Sequence, residues 1–387
     1  MAMKGELMQK ALTLLEANNP YGNICATVED DGRTVYLYLS PYGTSEQDAR
    51  AVWVANRIPA PTQDDRGSAD VGIPPLMPRR GTRHPDGHPG FSASDLSLLW
   101  FPEGDGVTLL YHGLPVAMLP PWYGSRGCTG YSLEAIGEER LAWEMDAGVL
   151  QTLSTRLEQS RDFWLWRAEP ASWPAFQMRS LAHLESRLGP HHRYIAGNQF
   201  DTPRIDVAQF QPHNHRGASV YTTVGMSAQP LPQVDLYFDD ATTHRRVELA
   251  IAMTTEHESV ASLLAGLGRY PWDSYTWLGN GHTIAMATPW LFVEAGLSPV
   301  VLLLTDPPAK MLGSPMNPRF SCVPDLTGLR DRSGEPVTYL WVLPINIHER
   351  DLARGRGPSE LIQKIAREGR GWLWTADMPG PQAMMGL

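Results

Sequence analysis

The chain has 387 residues, a length that suggests two or three domains and allows a sizeable apolar core without disulfide or metal staples. Its 42% hydrophobic and 19% charged residues exclude wholesale disorder. The net charge of -10 gives no overall attraction to nucleic acid or to an anionic membrane.

The first 168 residues are predicted to form an α+β domain. Apolar residues at helical spacing over residues 7–15 predict an N-terminal helix, which the Asn-Asn-Pro run at residues 18–20 ends. Strands are predicted at residues 24–29, 34–39, 51–55, 96–101, 107–111 and 115–119. The Asp-Asp-Gly run at residues 30–32 predicts a tight hairpin turn between the first two of these strands. Residues 132–145 are predicted as a helix capped by Ser132, and residues 148–168 as a further helix.

A long segment of this domain, residues 59–94, has no hydrophobic periodicity and is rich in Pro, Gly, Asp and Arg. This composition predicts a surface loop. Two interpretations stay open for the loop: a solvated connection, or a surface that contacts a partner.

The remaining residues, 169–387, are predicted to form a second α+β domain, beginning near Pro170. Helices are predicted at residues 172–188, 256–267 and 359–368, and Gly268 is predicted to end the second of them. Strands are predicted at residues 219–226, 234–238, 246–253, 300–305 and 336–344, and a Pro- and His-bearing loop at 189–217. The predicted fold class is therefore α+β, with two domains that each pack helices on a mixed or mainly antiparallel sheet.

The common catalytic and nucleotide-binding motifs are absent from the sequence. It has no phosphate-binding loop of the Gly-x-x-x-x-Gly-Lys-Ser/Thr type and no Gly-x-Ser-x-Gly nucleophile elbow. The pair Gly104 and Gly106 lacks the third glycine of a dinucleotide site and is typical of a hairpin turn. No catalytic residue, metal ligand or cofactor is therefore predicted, and the chain is expected not to be an enzyme.

One enzymatic alternative stays open, a hydrolase or a metal-dependent enzyme. His191, His192, His213 and His215 lie in one loop region and could bind zinc, or they could be ordinary loop residues. Cys128 follows Arg126, and a neighbouring cation can activate a thiol. The run at residues 256–258, Glu-His-Glu, resembles an acid/base cluster but is also typical of the start of a helix.

Aromatic residues with polar groups occur at several predicted breaks in secondary structure. The candidates are Trp122, Tyr123, Trp272 and Trp277. Such side chains either cover a small core or anchor an interface with another protein. With the acidic charge and the missing catalytic motifs, they favour a protein that binds another protein.

The sequence also predicts a cytoplasmic location. The three cysteines, Cys25, Cys128 and Cys322, are isolated from one another, which fits a reducing compartment. Residues 1–19 lack the continuous apolar core of a signal peptide. The longest apolar run, at residues 300–304, is too short to span a membrane.

Several short motifs in the second half resemble the suppressor-of-fused (SUFU) family. Residues 220–227 are similar to a strand and turn of that family, and residues 341–350 are similar to its closing strand and the following Glu element. The motif residues are Tyr221, Thr222, Thr223, Gly225, Met226, Ser227, Pro344 and Glu349. The resemblance covers roughly residues 170–380, while residues 1–150 resemble a domain found ahead of bacterial SUFU-like domains.

The resemblance implies a mixed α/β domain without enzymatic activity, in which Gly225 permits a bend and Pro344 ends a strand. The animal family member sequesters a zinc-finger transcription factor in Hedgehog signalling. Bacterial members are associated with polymorphic toxin systems as immunity proteins. We therefore expect an immunity-type or regulatory inhibitor that sequesters a protein partner. A basic toxin is the favoured partner because opposite charges accelerate association.

Overall fold

The computed structural model describes residues 11–43, 49–211, 219–253, 259–285, 300–305 and 324–367. The chain divides into two compact units, one formed by residues 1–169 and 235–239 and the other by residues 170–234 and 240–387. The predicted α+β class is confirmed, because helices accompany antiparallel and mixed sheets. No helix within the described ranges is long and apolar enough to cross a membrane.

The first sheet of the first unit is an antiparallel meander of four strands. These strands are β1 (Leu12–Asn18), β2 (Ile24–Asp30), β3 (Thr34–Pro41) and β4 (Arg50–Asn56). The predicted hairpin between β2 and β3 is present, and the Asp31 carboxylate closes it by accepting hydrogen bonds from the backbone N–H groups of Arg33 and Thr34 at 2.8 and 2.7 Å. The prediction of an N-terminal helix is wrong over the described residues. There, the chain pairs with β2 as an edge strand, and this long-range pairing outweighs the local helical pattern.

The second sheet of this unit has five strands in sequence order. They are β5 (Leu96–Trp100), β6 (Val107–Tyr111), β7 (Leu114–Leu119), β8 (Tyr131–Ser132) and β9 (Trp143–Glu144). The helix predicted over residues 132–145 is wrong, because Ser132 lies in β8 and its hydroxyl donates to the carbonyl oxygen of Val54 at 2.9 Å. Helix α2 (Ala147–Ala168) begins instead after Asp146, whose carboxylate accepts from the N–H of Val149 at 2.7 Å.

The long loop at residues 59–94 is partly built into the first unit. It contains the short helix α1 (Arg66–Asp70), and Leu76 and Met77 are buried. The side chain of Asn56, at the end of β4, donates to the carbonyl oxygen of Met77 at 2.8 Å and accepts from its N–H at 3.0 Å. The middle of this loop is therefore anchored to the sheet rather than fully solvated.

The second unit contains a mixed sheet of seven strands in the order β10-β11-β12-β13-β16-β15-β14. Its strands are β10 (His191–Ile195), β11 (Asp206–Phe210), β12 (Ser219–Val224), β13 (Val247–Met253), β14 (Thr283–Ala285), β15 (Val300–Leu304) and β16 (Thr338–Ile345). Among the described strands of this sheet, only β13 and β16 pair in parallel. The predicted loop at residues 189–217 thus contains two strands, which the few apolar residues of that segment did not indicate.

The helices assigned from residue 170 onward are α3 (Ser172–Leu188), α4 (Val234–Tyr237), α5 (Ser259–Asp273), α6 (Ile347–Arg356) and α7 (Pro358–Arg367). The strand predicted at residues 234–238 is wrong, because the chain forms α4 there. The prediction that Gly268 ends α5 is also wrong. A Cβ on residue 268 would lie 3.0 Å from Ile205 Cγ2, so this glycine allows close packing inside a continuous helix.

Candidate functional site

The motif at residues 220–227 forms most of β12 and the turn that follows. Gly225 has a φ angle of +133°, and residues 226–228 form a single 3-10 turn. A Cβ on residue 225 would lie 2.2 Å from the carbonyl oxygen of Arg204. The positive φ angle and this close approach both require glycine at the bend.

The turn is built around the carboxylate of Glu248 on the neighbouring strand β13, which is 1% exposed. Glu248 Oε2 accepts a hydrogen bond from Thr223 Oγ1 at 2.6 Å. Glu248 Oε1 accepts from the N–H groups of Gly225 and Ser227, both at 3.0 Å, and from Ser227 Oγ at 2.7 Å. Four donors from one short motif therefore converge on one buried side chain.

Burial raises the pKa of Glu248, and the hydrogen bonds from Thr223 and Ser227 oppose that shift. The Thr223 hydroxyl also accepts from the N–H of Leu249 at 2.8 Å, so its own hydrogen is directed to the carboxylate. Sequence reasoning did not single out Glu248. The signal was a lone carboxylate inside the apolar run Val247–Met253, because a buried carboxylate needs several donors.

The other motif residues at this end of the sheet are buried. Tyr221 is 3% exposed, and Thr222 and Met226 are both 0% exposed. These side chains therefore pack inside the second unit. The strand–turn motif therefore supports the fold of the second unit.

The closing motif, at residues 341–350, likewise supports the fold. Pro344 does not end its strand as predicted, because β16 continues to Ile345 and Pro344 pairs with Val301. Strand β13 pairs with β16 only as far as Trp341, so the proline lies beyond that ladder, where a missing N–H is tolerated.

Glu349 belongs to a capping box at the start of α6. It accepts from the N–H of Asn346 at 2.8 Å, and the Asn346 side chain accepts from the N–H of Glu349 at 2.9 Å.

The four aromatic interface candidates have different environments. Trp272 is 1% exposed, which fits the core interpretation of that residue. Trp277 is half-buried against His282, with 4.3 Å between the ring centroids. Trp122 is partly buried beneath the guanidinium of Arg156, and Tyr123 lies beneath that of Arg50. A contact of Trp122, Tyr123 or Trp277 with a partner stays a prediction.

An exposed aromatic residue that the sequence analysis did not select lies after β10. Phe200 is 84% exposed. Its loop is nevertheless ordered by hydrogen bonds, because the Asn198 side chain accepts from the N–H of Phe200 at 3.1 Å and donates to Asp201 at 2.9 Å. Asp201 in turn pairs with Arg269 at 2.6 Å. Phe is among the residues enriched at the cores of protein–protein interfaces, so this ring is a candidate interface anchor.

A cavity of about 450 Å³ lies close to this loop in the second unit. It is lined by Arg193, Ile195, Ala196, Gly197, Ile205, Val207, Gln209, Tyr221, Ala261, Ser262 and Ala265. The small side chains that α5 contributes, Ala261, Ser262 and Ala265, leave this space open. Gln209 is 3% exposed, and its Nε2 atom has no hydrogen-bond partner within the described ranges. A buried amide that lacks a partner favours binding of a polar group at this position.

The enzymatic alternative gains no support from the residues that are described. Cys128 is 2% exposed, and burial raises the pKa of its thiol, which is the opposite of what a nucleophilic cysteine requires. His191 and His192 lie on β10, where His191 Nδ1 pairs with Glu185 at 2.6 Å. His213 and His215 lie outside the described residues, as do the run at 256–258 and Cys322.

A different group of possible metal ligands is present in the first unit. In the described ranges, one set of three His, Cys, Asp or Glu side chains is close enough to share an ion: His84, His88 and Glu134. Sequence reasoning missed this set, because Glu134 is far from both histidines along the chain.

Residues 201–377 match the family model of Suppressor of fused protein (SUFU). The resemblance of the C-terminal half to the SUFU family is confirmed. We refer to residues 201–377 as the SUFU region. No curated protein is similar enough in sequence to be matched to this chain.

Two solved structures show weak similarity to the chain. One is described as a SUFU homologue from Neisseria gonorrhoeae FA 1090, with 18% identity and a TM-score of 0.37; the match covers 53% of this chain and 96% of that chain. The other is the Sufu–Fu complex, with 14% identity and a TM-score of 0.34, covering 55% of this chain and 93% of that chain.

Proposed function

We propose that this protein is a non-enzymatic inhibitor that binds and sequesters another protein. The observation that carries the proposal is the match of residues 201–377 to the SUFU family. The Thr223 and Ser227 hydroxyls and the Gly225 N–H of the family motif donate to Glu248, so these groups are engaged within the fold. The candidate nucleophile Cys128 is buried.

The charge distribution supports a basic partner. The first unit carries 24 Asp and Glu residues against 14 Lys and Arg, whereas the second unit carries 18 of each. The whole net charge of -10 therefore belongs to the first unit. An acidic surface attracts a basic protein over long range and raises the association rate. This asymmetry favours a basic partner, and the partner that we propose is a toxin neutralised in a 1:1 complex.

We place the specific contact on the second unit, at β10 and the Phe200 loop. In the described part of the sheet, β10 is an edge strand that pairs with β11 on one side only. An edge strand can pair with an extended segment of another chain through backbone hydrogen bonds. The exposed phenyl ring of Phe200 would bury its area against the same segment.

The test begins with affinity capture from the native host, followed by purification of the captured protein and surface plasmon resonance against the full chain. The expected result is a 1:1 complex with a basic protein. Phe200→Ala should weaken it about tenfold, since a central aromatic anchor contributes about 1–2 kcal/mol. Met178→Ala is the matched control, because Met178 is also exposed, at 68%, in the second unit.

The outcomes separate the parts of the proposal. Failure to form any stoichiometric complex would overturn the binding function itself. A complex that is insensitive to Phe200→Ala would overturn only the proposed surface. A partner without toxic activity would replace the immunity role with a regulatory one, and a reaction catalysed on the captured protein would establish the enzymatic alternative.

A further inference from the structure

His84, His88 and Glu134 converge in the first unit, outside the SUFU region. One imidazole nitrogen from each histidine and one carboxylate oxygen all lie within 4.8 Å of one another. His84 Nδ1 contacts Glu134 Oε2 directly. The two imidazole rings meet edge to face, with 5.2 Å between their centroids. Three donor groups therefore share a space of the size that one metal ion and its ligands occupy.

Backbone hydrogen bonds hold these three residues in place. The N–H of Arg83 donates to the carbonyl oxygen of Glu134 at 2.9 Å, which joins the loop that carries the histidines to the segment after β8. The N–H of His88 donates to the carbonyl oxygen of Asn56 at 2.7 Å, and the N–H of Glu134 donates to Ser132 Oγ at 3.1 Å. The ligand positions are thus organised by the fold before any ion binds.

The site is accessible from solvent on one side. The His84 side chain is 49% exposed, whereas Glu134 is 13% exposed. A partly buried carboxylate beside an exposed imidazole leaves room for water to complete the coordination of an ion.

The histidine protons must rearrange when an ion binds. His88 Nδ1 accepts from the N–H of Gly90 at 2.9 Å, which places the proton of the neutral ring on Nε2. Coordination through Nε2 would therefore require transfer of this proton to Nδ1, and the hydrogen bond from the Gly90 N–H would be lost. At His84, an ion would replace the direct contact between Nδ1 and Glu134 Oε2. Metal–ligand bonds would take the place of these two contacts.

We propose that His84, His88 and Glu134 bind a divalent transition-metal ion of the zinc type. Two imidazoles and one carboxylate are a typical donor set for Zn²⁺, with water in the open position. Magnesium and calcium are disfavoured because they prefer oxygen ligands. The bound ion would link the loop at residues 59–94 to the segment between β8 and β9. The proposed metal site is independent of the proposed protein-binding function.

The test uses the full chain without a polyhistidine tag, stripped with a chelator. Isothermal titration with ZnCl2 should show one ion per chain, and zinc should raise the thermal midpoint of the first unit. His84→Ala and His88→Ala should each weaken zinc binding at least about 100-fold, since each removes a ligand. His112→Ala is the matched control: this histidine belongs to the same unit and lies 3.9 Å from Asp95, outside the cluster.

A milder variant distinguishes a metal site from a simple His84–Glu134 ion pair. Glu134→Gln keeps the size of the side chain and a hydrogen bond to His84, but it removes the charge, and zinc affinity should fall about tenfold or more. Circular dichroism verifies that each variant is folded. Absence of zinc binding by the wild-type chain at 100 µM ZnCl2, roughly the upper limit for a specific site, overturns the proposal. Unchanged affinity in both histidine variants also overturns it.

Discussion

Each of the two units uses a buried polar side chain to hold an irregular segment against a sheet, but the chemistry differs. In the first unit, Asn56 at the end of β4 binds the long loop through both backbone groups of Met77. Its Oδ1 also accepts from Trp53 Nε1 at 2.9 Å. In the second unit, Glu248 on β13 receives four hydrogen bonds from Thr223, Gly225 and Ser227.

The two anchors differ in the hydrogen bonds that an amide and a carboxylate can make. An amide both donates and accepts, so Asn56 satisfies a peptide group on each side without a charge. An ionised carboxylate only accepts, so Glu248 can gather several donors, but burial raises its pKa. We therefore expect the anchor of the second unit to depend on pH and that of the first unit to be insensitive to it.

The largest effect is expected for Gly225→Ala, which breaks the turn that Glu248 organises. The new Cβ would meet the Arg204 carbonyl oxygen, and alanine disfavours a φ angle of +133°. We expect a loss of about 3–5 kcal/mol in the free energy of unfolding. Hydrogen exchange should show the loss in β12 and β13 and not in β2 and β3.

The matched control for that variant is Gly266→Ala within α5. A Cβ on residue 266 meets nothing within 4 Å, and alanine favours a helix by about 1 kcal/mol over glycine. Gly266→Ala should therefore be neutral or stabilising. Equal destabilisation by both substitutions would show that Gly225 has no special backbone role.

Asn56→Ala tests the uncharged anchor. The substitution leaves the backbone groups of Met77 and the Trp53 indole N–H without their buried partner, and we expect a loss of about 2–3 kcal/mol. Limited proteolysis should cut the loop at residues 59–94 faster. The loss should be constant between about pH 5 and pH 8, because neither side chain titrates there. A loss that varies strongly with pH would contradict the comparison.

Glu248→Gln tests the charged anchor, with a smaller expected loss of about 1–2 kcal/mol at pH 7. Since the folded-state pKa of Glu248 is raised, its proton is held more tightly in the folded than in the unfolded chain. The contribution of the wild-type carboxyl to stability is therefore fully present below its unfolded pKa, near 4.5, and falls as pH rises through the folded pKa. Glutamine does not titrate, so the penalty of the substitution should shrink with rising pH. Urea titrations across this range provide the measurement, and a penalty that grows with pH would contradict the raised pKa.

The smallest effect is expected on the rate of association with a basic partner, and it follows from the charge difference between the units. This prediction depends on the proposed binding function. Removing two exposed charges from the first unit with Asp70→Asn and Asp162→Asn should slow association with a basic partner about twofold to fourfold at low salt. The control, Asp273→Asn with Asp351→Asn, removes exposed charges from the neutral second unit. Equal slowing by both pairs would show that the asymmetry does not guide the encounter.

The sequence predicted those elements whose cause is local. The turn at residues 30–32 follows from Asp-Asp-Gly, and helices α2 and α3 follow from apolar residues at helical spacing. The predictions failed where distant groups decided the structure. Residues 12–18 pair with β2, and the Ser132 hydroxyl donates to the carbonyl oxygen of Val54 instead of capping a helix.

The sequence by itself determined the α+β class, the acidic charge and the resemblance to the SUFU family, because composition, turn residues and short ordered motifs act over a few positions. Only the tertiary structure showed why the motif has its residues, since Glu248 lies on another strand and its hydrogen bonds form when β12 and β13 pair. The same holds for His84, His88 and Glu134, which backbone hydrogen bonds between distant segments bring together. A buried charge or a ligand set needs partners from several segments, and only the folded chain places those partners side by side.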